Sequence, residues 1–245
     1  MEAANDVWTV DFKGEFRLGN RQYCYPLTIV DGFSRYLLAC RGLTSVRESE
    51  ARPVFEQLFR HYGLPVQILS DNGSPFASHA IGGLSRLSVW WIRLGIQHVR
   101  IQRGHPQQNA RHERMHRTLK AESARPPKAS RAAQQRAFDR FRREYNQERP
   151  HESLGQTPPA RSYKASTQSF PKKLPKPDYP GHFEIRRVGP SGTIHWKKTT
   201  PFIGKPLQGQ DVGLEEVDDG IWSLYFGPVL LGRLNEKRGK TEKIQ

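Results

Sequence analysis

The chain has 245 residues, with 39 Lys and Arg against 24 Asp and Glu, a formal net charge of +15 and 36% hydrophobic residues. That length suits one large domain or two modest ones with real cores. There is no apolar run long enough to span a membrane, and Met1–Val10 lacks a charged-then-apolar leader, so a soluble, intracellular chain without a membrane partner is expected.

In chain order, VWTVDFKGEF (7–16) alternates and is rich in β-formers, which predicts a strand. RQYCYPLTIVDGFSRYLLACRGL (21–43) predicts two more strands folding back at Asp31-Gly32. ESEARPVFEQLFRHYG (48–63) places Val54, Phe55, Leu58, Phe59 and Tyr62 on one helix face, and Gly63 ends it. PVQILSDNG (65–73) is a short apolar strand, Trp90 and Trp91 in GGLSRLSVWWIRL (82–94) read as packing residues, and GIQHVRIQ (95–102) is another strand. After turn residues Gly104, Pro106 and Asn109, RHERMHRTLKAE forms a helix. A further amphipathic helix over 133–151 turns Phe138, Phe141 and Tyr145 inward. Three meandering strands followed by helix–strand and strand–helix units predict a mixed α/β sheet with helices on its faces.

Composition then shifts. Residues 157–181 are rich in Pro, Lys and Ser and read as an extended basic linker. Short β-like runs follow at 182–188, 193–198, 200–204, 210–217, 221–227 and 229–234, suggesting a small antiparallel barrel over 182–236 and a frayed basic tail over 237–245. The two cysteines, Cys24 and Cys40, exclude a disulfide scaffold or a four-cysteine zinc site and read as reduced core thiols on facing strands.

Charge is unevenly spread. Residues 1–71 hold 8 basic and 9 acidic side chains, whereas residues 100–150 hold 14 and 5. A neutral platform followed by a basic segment predicts a nucleic-acid face.

Three acids stand out against this pattern. Asp11 interrupts the first strand, where a charge is costly unless exposed or paired. Asp71 ends a strand and opens SDNGSPF; ligands gather at strand carboxyl ends of open α/β sheets, although Asp-Asn-Gly is also a common turn. Glu113 is a lone acid among Arg111, His112, Arg114 and His116, where a helix-surface pair with Arg114 or Arg117 is the ordinary explanation. Should the first strand be central and the 65–70 strand its neighbour, Asp11 and Asp71 meet and the helix sets Glu113 beside them. Three gathered carboxylates repel one another unless cations bind, and hard oxygen donors suit Mg²⁺ or Mn²⁺. Two such ions, roughly 3.5–4 Å apart, serve in-line attack on phosphorus.

The ordered set WTVDF, IVDGFSRYLLA, SDNGSPFAS, GIQHVRIQRGHPQQNARHER and YNQERPHESLGQTP, over roughly residues 5 to 160, resembles the DDE-type integrase core of bacterial insertion-sequence transposases, related to retroviral integrases. The resemblance implies a ribonuclease-H-like mixed five-stranded sheet over 1–156, followed by a small all-β barrel that contacts DNA or supports assembly. It implies Asp11, Asp71 and Glu113 as the catalytic and metal-binding triad, and two Mg²⁺ or Mn²⁺ ions. The implied partners are double-stranded DNA and further copies of the chain, in a bacterial cytoplasm near the nucleoid. Arg117 and Lys120, on the face of Glu113, are expected to contact the DNA end. Asn72, Gln108 and Asn109 would orient the turns or bond phosphate, and Trp196, Lys197 and Lys198 would form an aromatic-basic edge for phosphate. The Asp71–Glu113 spacing exceeds the family's usual one, Ala110 stands where Gly is common, and a preceding helix-turn-helix region is not part of these 245 residues. Rival readings are a nuclease of the same fold and a non-catalytic DNA-binding or assembly subunit. His105, His112 and His116 lack the cysteine or third partner that a zinc site needs.

Overall fold

The computed structural model describes residues 1–102 and 110–242. The chain divides into two compact units, residues 1–75 with 96–170, and residues 76–95 with 171–245.

The first unit is built on a mixed sheet. Strands β1 (Val7–Phe12), β3 (Tyr23–Asp31) and β4 (Leu37–Leu43) form an antiparallel meander, with two-residue β2 (Phe16–Arg17) on the far end of β3. Strands β5 (Gln67–Ser70) and β6 (Gln97–Arg100) add to the other side of β1 in parallel. β1 is therefore central, between β3 and β5.

Period-two alternation on β1 decides what each face carries. Trp8 and Val10 are buried, and the Trp8 ring stacks 5.8 Å from Phe59 of α1 (Glu48–Tyr62). The opposite parity, Thr9 and Asp11, faces α3 (Ala110–Leu119), because Thr9 Oγ1 lies 2.9 Å from His112 Nδ1. Met115 and Leu119 of α3 join Phe138, Phe141 and Tyr145 of α4 (Arg131–Gln147) over Cys24, Val30, Leu37 and Cys40 in one core cluster. At ~25 cal/mol per Å² of apolar surface, each such large side chain contributes about 1.5–3 kcal/mol by burial. The two cysteines are free and buried on paired strands, and burial raises the Cys24 thiol to about 11. The β3–β4 turn is locked by Asp31, whose carboxylate is fully buried and accepts from the backbone N–H of Asn5 and Ser34 and from the Ser34 hydroxyl at 2.6–2.8 Å.

The second unit holds a five-stranded antiparallel sheet in the order β11-β10-β9-β8-β7, from β7 (Glu184–Arg187), β8 (Asp211–Asp218), β9 (Ile221–Phe226), β10 (Val229–Asn235) and β11 (Lys240–Glu242). Here the structure departs from the sequence reading in four places. The 82–94 segment, assigned no element from its sequence, carries α2 (Arg86–Arg93), capped by Ser85, and Val89 and Ile92 pack into the core of this unit beside Trp222, Leu224 and Phe226. The runs at 193–198 and 200–204 make isolated bridges rather than strands, interrupted by Lys197 at φ 49°. The tail forms β11. The Pro- and Lys-rich stretch is docked on the folded units: Tyr163 stacks on Tyr36 at 4.4 Å in the first unit, and Tyr179 donates to the Asp211 carbonyl in the second. Among the described residues no helix is long and apolar enough to cross a membrane.

Candidate active site

The parallel pairing of β1 and β5 ends with Val10 opposite Ser70. Asp11 and Asp71, each the next residue along its own strand direction, are thereby set at neighbouring positions of two adjacent parallel strands. That is the strand-end location where ligands collect in open α/β sheets. The Asp71 carboxylate accepts from Gly73 N–H at 3.0 Å, so the Asp-Asn-Gly turn is held by the side chain that opens it. Asn72 donates to the Ile101 carbonyl at 2.7 Å, tying the end of β5 to the chain leaving β6. Ser70 Oγ lies 2.9 Å from His98 Nε2, a second tie between β5 and β6, and burial lowers His98 to about 4.

Glu113 is exposed on α3. What fixes this helix against the sheet is a buried polar cluster rather than an apolar seam alone. Thr28 Oγ1 on β3 is 2.6 Å from both His112 Nε2 and His116 Nε2, and lies 3.1 Å from the Asp11 carbonyl, to which it can donate. The two imidazoles meet edge to face at 4.6 Å. His116 Nδ1 stands 3.9 Å from Asp11 Oδ2. Burial drives His112 down to about 3; burial, then the charges of His112 and Lys13, drive His116 to about 2. Both rings are therefore neutral at pH 7 and work as hydrogen-bonding pins. Sequence reading weighed these histidines only as zinc ligands. The usable signal was the i, i+4 pair on the same helix as Glu113, facing the outward-parity Thr9 of β1 and Thr28 of β3.

The three acids are not equally gathered. Asp11 and Asp71 are brought side by side, whereas among the described residues no group of three or more His, Cys, Asp or Glu side chains stands close enough to hold a metal ion. Arg117 and Lys120 are both exposed; α3 ends at Leu119 and passes into a π-helical turn over Lys120–Ala124. Gln108 and Asn109, with His105, lie outside the described residues. The expected edge in the second unit needs correction. Trp196 is 1% exposed in the core, against Trp222 at 4.7 Å, so its ring is not offered to a ligand. Lys197 is committed to Glu236 at 2.6 Å, and Lys198 alone of the three is left as an exposed cation without an ion pair among the described residues.

Comparison with known proteins fits this geometry. Two family models, both described as integrase core domain, match residues 1–106 and 94–159. An uncharacterized 39.2 kDa protein of insertion element IS476 from Xanthomonas euvesicatoria is 32% identical over 157 residues, covering 64% of this chain and 43% of its own length. A 31.7 kDa insertion element IS407 protein from Burkholderia multivorans is 28% identical, over 64% of this chain and 55% of its own. The chain thus spans about half the length of the insertion-element proteins it matches. Among solved structures, the HTLV-2 integrase catalytic core domain in complex with magnesium aligns with a TM-score of 0.52 at 18% identity, over 66% of this chain and 97% of that one. A simian T-cell lymphotropic virus intasome chain aligns with a TM-score of 0.54 at 18% identity, over 93% of this chain and 78% of that one. These two likenesses carry the fold: a ribonuclease-H-like sheet with flanking helices. The matched models, with the insertion-element relatives beside them, make residues 1–159 an integrase core domain.

Proposed function

We propose that the protein is a DDE-type polynucleotidyl transferase, which hydrolyses a DNA strand at the end of a mobile element and joins the freed 3′-hydroxyl to target DNA. The observation that carries this reading is the register of β1 and β5, which sets Asp11 and Asp71 side by side at the strand ends, beside a helix that bears Glu113 and is pinned to the same sheet face.

The donor set fits a hard divalent cation, because all three candidate ligands are carboxylates and two stand at adjacent strand ends. Asp11, Asp71 and Glu113 would hold Mg²⁺ or Mn²⁺, two ions in all. Bound there, such ions supply Lewis-acid stabilisation of charge on the attacking and leaving oxygens. The protein's own contribution is positional. Thr28, His112 and His116 hold α3 against β1 and β3; Asn72 and the Gly73 N–H hold the Asp71 turn. The neutral histidines add no positive charge next to Asp11, which leaves its carboxylate for a cation. Arg117 and Lys120 would hold phosphates of the DNA end, with Asn72 steadying the turn that follows Asp71. The excess of 14 basic over 5 acidic side chains in residues 100–150 supplies the sequence-independent attraction for double-stranded DNA. Lys198 of the second unit would add a further phosphate contact. Processing two element ends calls for more than one copy of the chain.

The reading is tested by incubating the protein with a supercoiled plasmid and a labelled duplex bearing a free 3′-hydroxyl, with Mg²⁺ or Mn²⁺ or with a chelator. Covalent transfer of label into the plasmid, lost in chelator, is the expected result. Metal-dependent nicking without joining would make the protein a nuclease of the same fold. Tight DNA binding with neither reaction would make it a binding or assembly subunit.

A further inference from the structure

The first unit contains a cavity of about 710 Å³ that the proposed chemistry does not use. Arg35 of the β3–β4 turn, Arg114 and Thr118 of α3, Arg149 after α4, and His151 and Glu152 beyond it all line this cavity. Arginines from three separate elements thus line one space together with one carboxylate, that of Glu152. Burial, and then the charges of Arg149 and Arg35, hold the His151 imidazole below its usual range. Among the described residues, buried His151 Nε2 has no hydrogen-bond partner. Arg149 also pairs with exposed Glu122, which steadies its position.

Helix geometry places this cavity beside, not on, the carboxylate face. At ~100° per residue, Arg117 and Lys120 stay within about 40° of Glu113, while Arg114 and Thr118 lie about 100° to 140° around α3. A polyanion crossing the Glu113 face is therefore carried round the helix toward a second cluster of cations. Arginine is the side chain suited to planar, bidentate capture of a phosphate. The volume falls in the range of roughly 300–1,000 Å³ that binds nucleotide-sized groups rather than a lone ion.

We propose that this cavity is a second phosphate site, where Arg35, Arg114 and Arg149 hold a backbone phosphate of the bound DNA other than the one that reacts. The ligand class rests on the polynucleotidyl-transferase reading, but the site itself does not need catalysis.

The test is DNA binding by the full chain, followed by anisotropy of a fluorescein-labelled duplex over a series of salt concentrations. Arg114→Gln and Arg149→Gln should each weaken binding several-fold, and the pair should lower the log–log salt slope by about one, because the single phosphate they share releases about one counterion. Thermal unfolding reports whether each variant is folded; should the pair unfold, the affinity of Arg114→Gln alone decides, since Arg114 is exposed. Unchanged affinity and slope in folded variants would overturn the proposal. So would a rise in wild-type unfolding temperature with added inorganic phosphate that the variants lose while binding DNA as before, which would make the cavity a free-anion site. Wild type that binds with the expected slopes but never joins strands would sink the transferase reading and leave this site standing. Wild type that joins strands while the variants bind normally would do the reverse.

Discussion

Asp11→Asn and Asp71→Asn should each abolish metal-dependent strand cleavage and joining while leaving the fold and DNA affinity close to wild type. Each change keeps side-chain volume and removes one negative charge from a pair set at neighbouring strand ends. An amide is a poor ligand for a hard cation that prefers carboxylate oxygen. Changes one shell outside a metal site cost about 10- to 100-fold in metal affinity or activity, so loss of a direct ligand should exceed that range. Glu113→Gln should behave alike. Folding should survive, because Glu113 is exposed and α3 is secured by His112 and His116 instead. The joining assay, read beside thermal unfolding and DNA anisotropy, checks all three variants. Wild-type joining by any one of them would remove that residue from the site.

Acid is expected to unfold the protein well above the pH where carboxylates titrate. His98, His112 and His116 are held neutral, with pKa values of about 4, about 3 and about 2 against an ordinary 6.5. Between 6.5 and those values the unfolded chain binds protons that the folded chain refuses, so stability is complete above about pH 7 and falls as pH drops. At ~1.36 kcal/mol per unit, each histidine costs about 2 kcal/mol at pH 5, and the three together about 6 kcal/mol. That is comparable with the 5–15 kcal/mol that ordinarily separates folded from unfolded states. Urea titrations at pH 7.5, 6 and 5 check it. The midpoint should fall steeply below pH 6.5; a flat profile would show that the three rings accept protons in the native fold. The loss should fall first on α3, since His112 and His116 join it to Thr9 and Thr28.

Much of the fold could be read from residue patterns. Val54, Phe55, Leu58 and Phe59 announced α1, and Gly63 at φ 76° ends it as expected. The WTVDF alternation announced a strand with Asp11 on the face opposite Trp8, and the strand-end position of Asp71 was legible from SDNG. Where the pattern failed, tertiary contacts had taken over. α2 is only eight residues long and is buried over Leu87–Ile92, and so short an apolar run cannot be told from a strand by its periodicity. The Thr–His cluster was legible only in its i, i+4 histidines, because their partner Thr28 is 84 and 88 positions away in the chain. Trp196 looked like a surface ring beside two lysines, yet bridging between Trp196 and Thr199 turns it into the core and sends Lys197 to Glu236. Local composition reported the charges there correctly and the direction of the ring wrongly.

The central claim is that Asp11, Asp71 and Glu113 act as one cation site, and titration with Mn²⁺ followed by electron paramagnetic resonance of the free ion tests it most directly. Wild type should take up Mn²⁺, and Asp11→Asn, Asp71→Asn and Glu113→Gln should each weaken that uptake at least tenfold. Equal uptake by wild type and all three folded variants, or none by wild type with DNA bound, would contradict it.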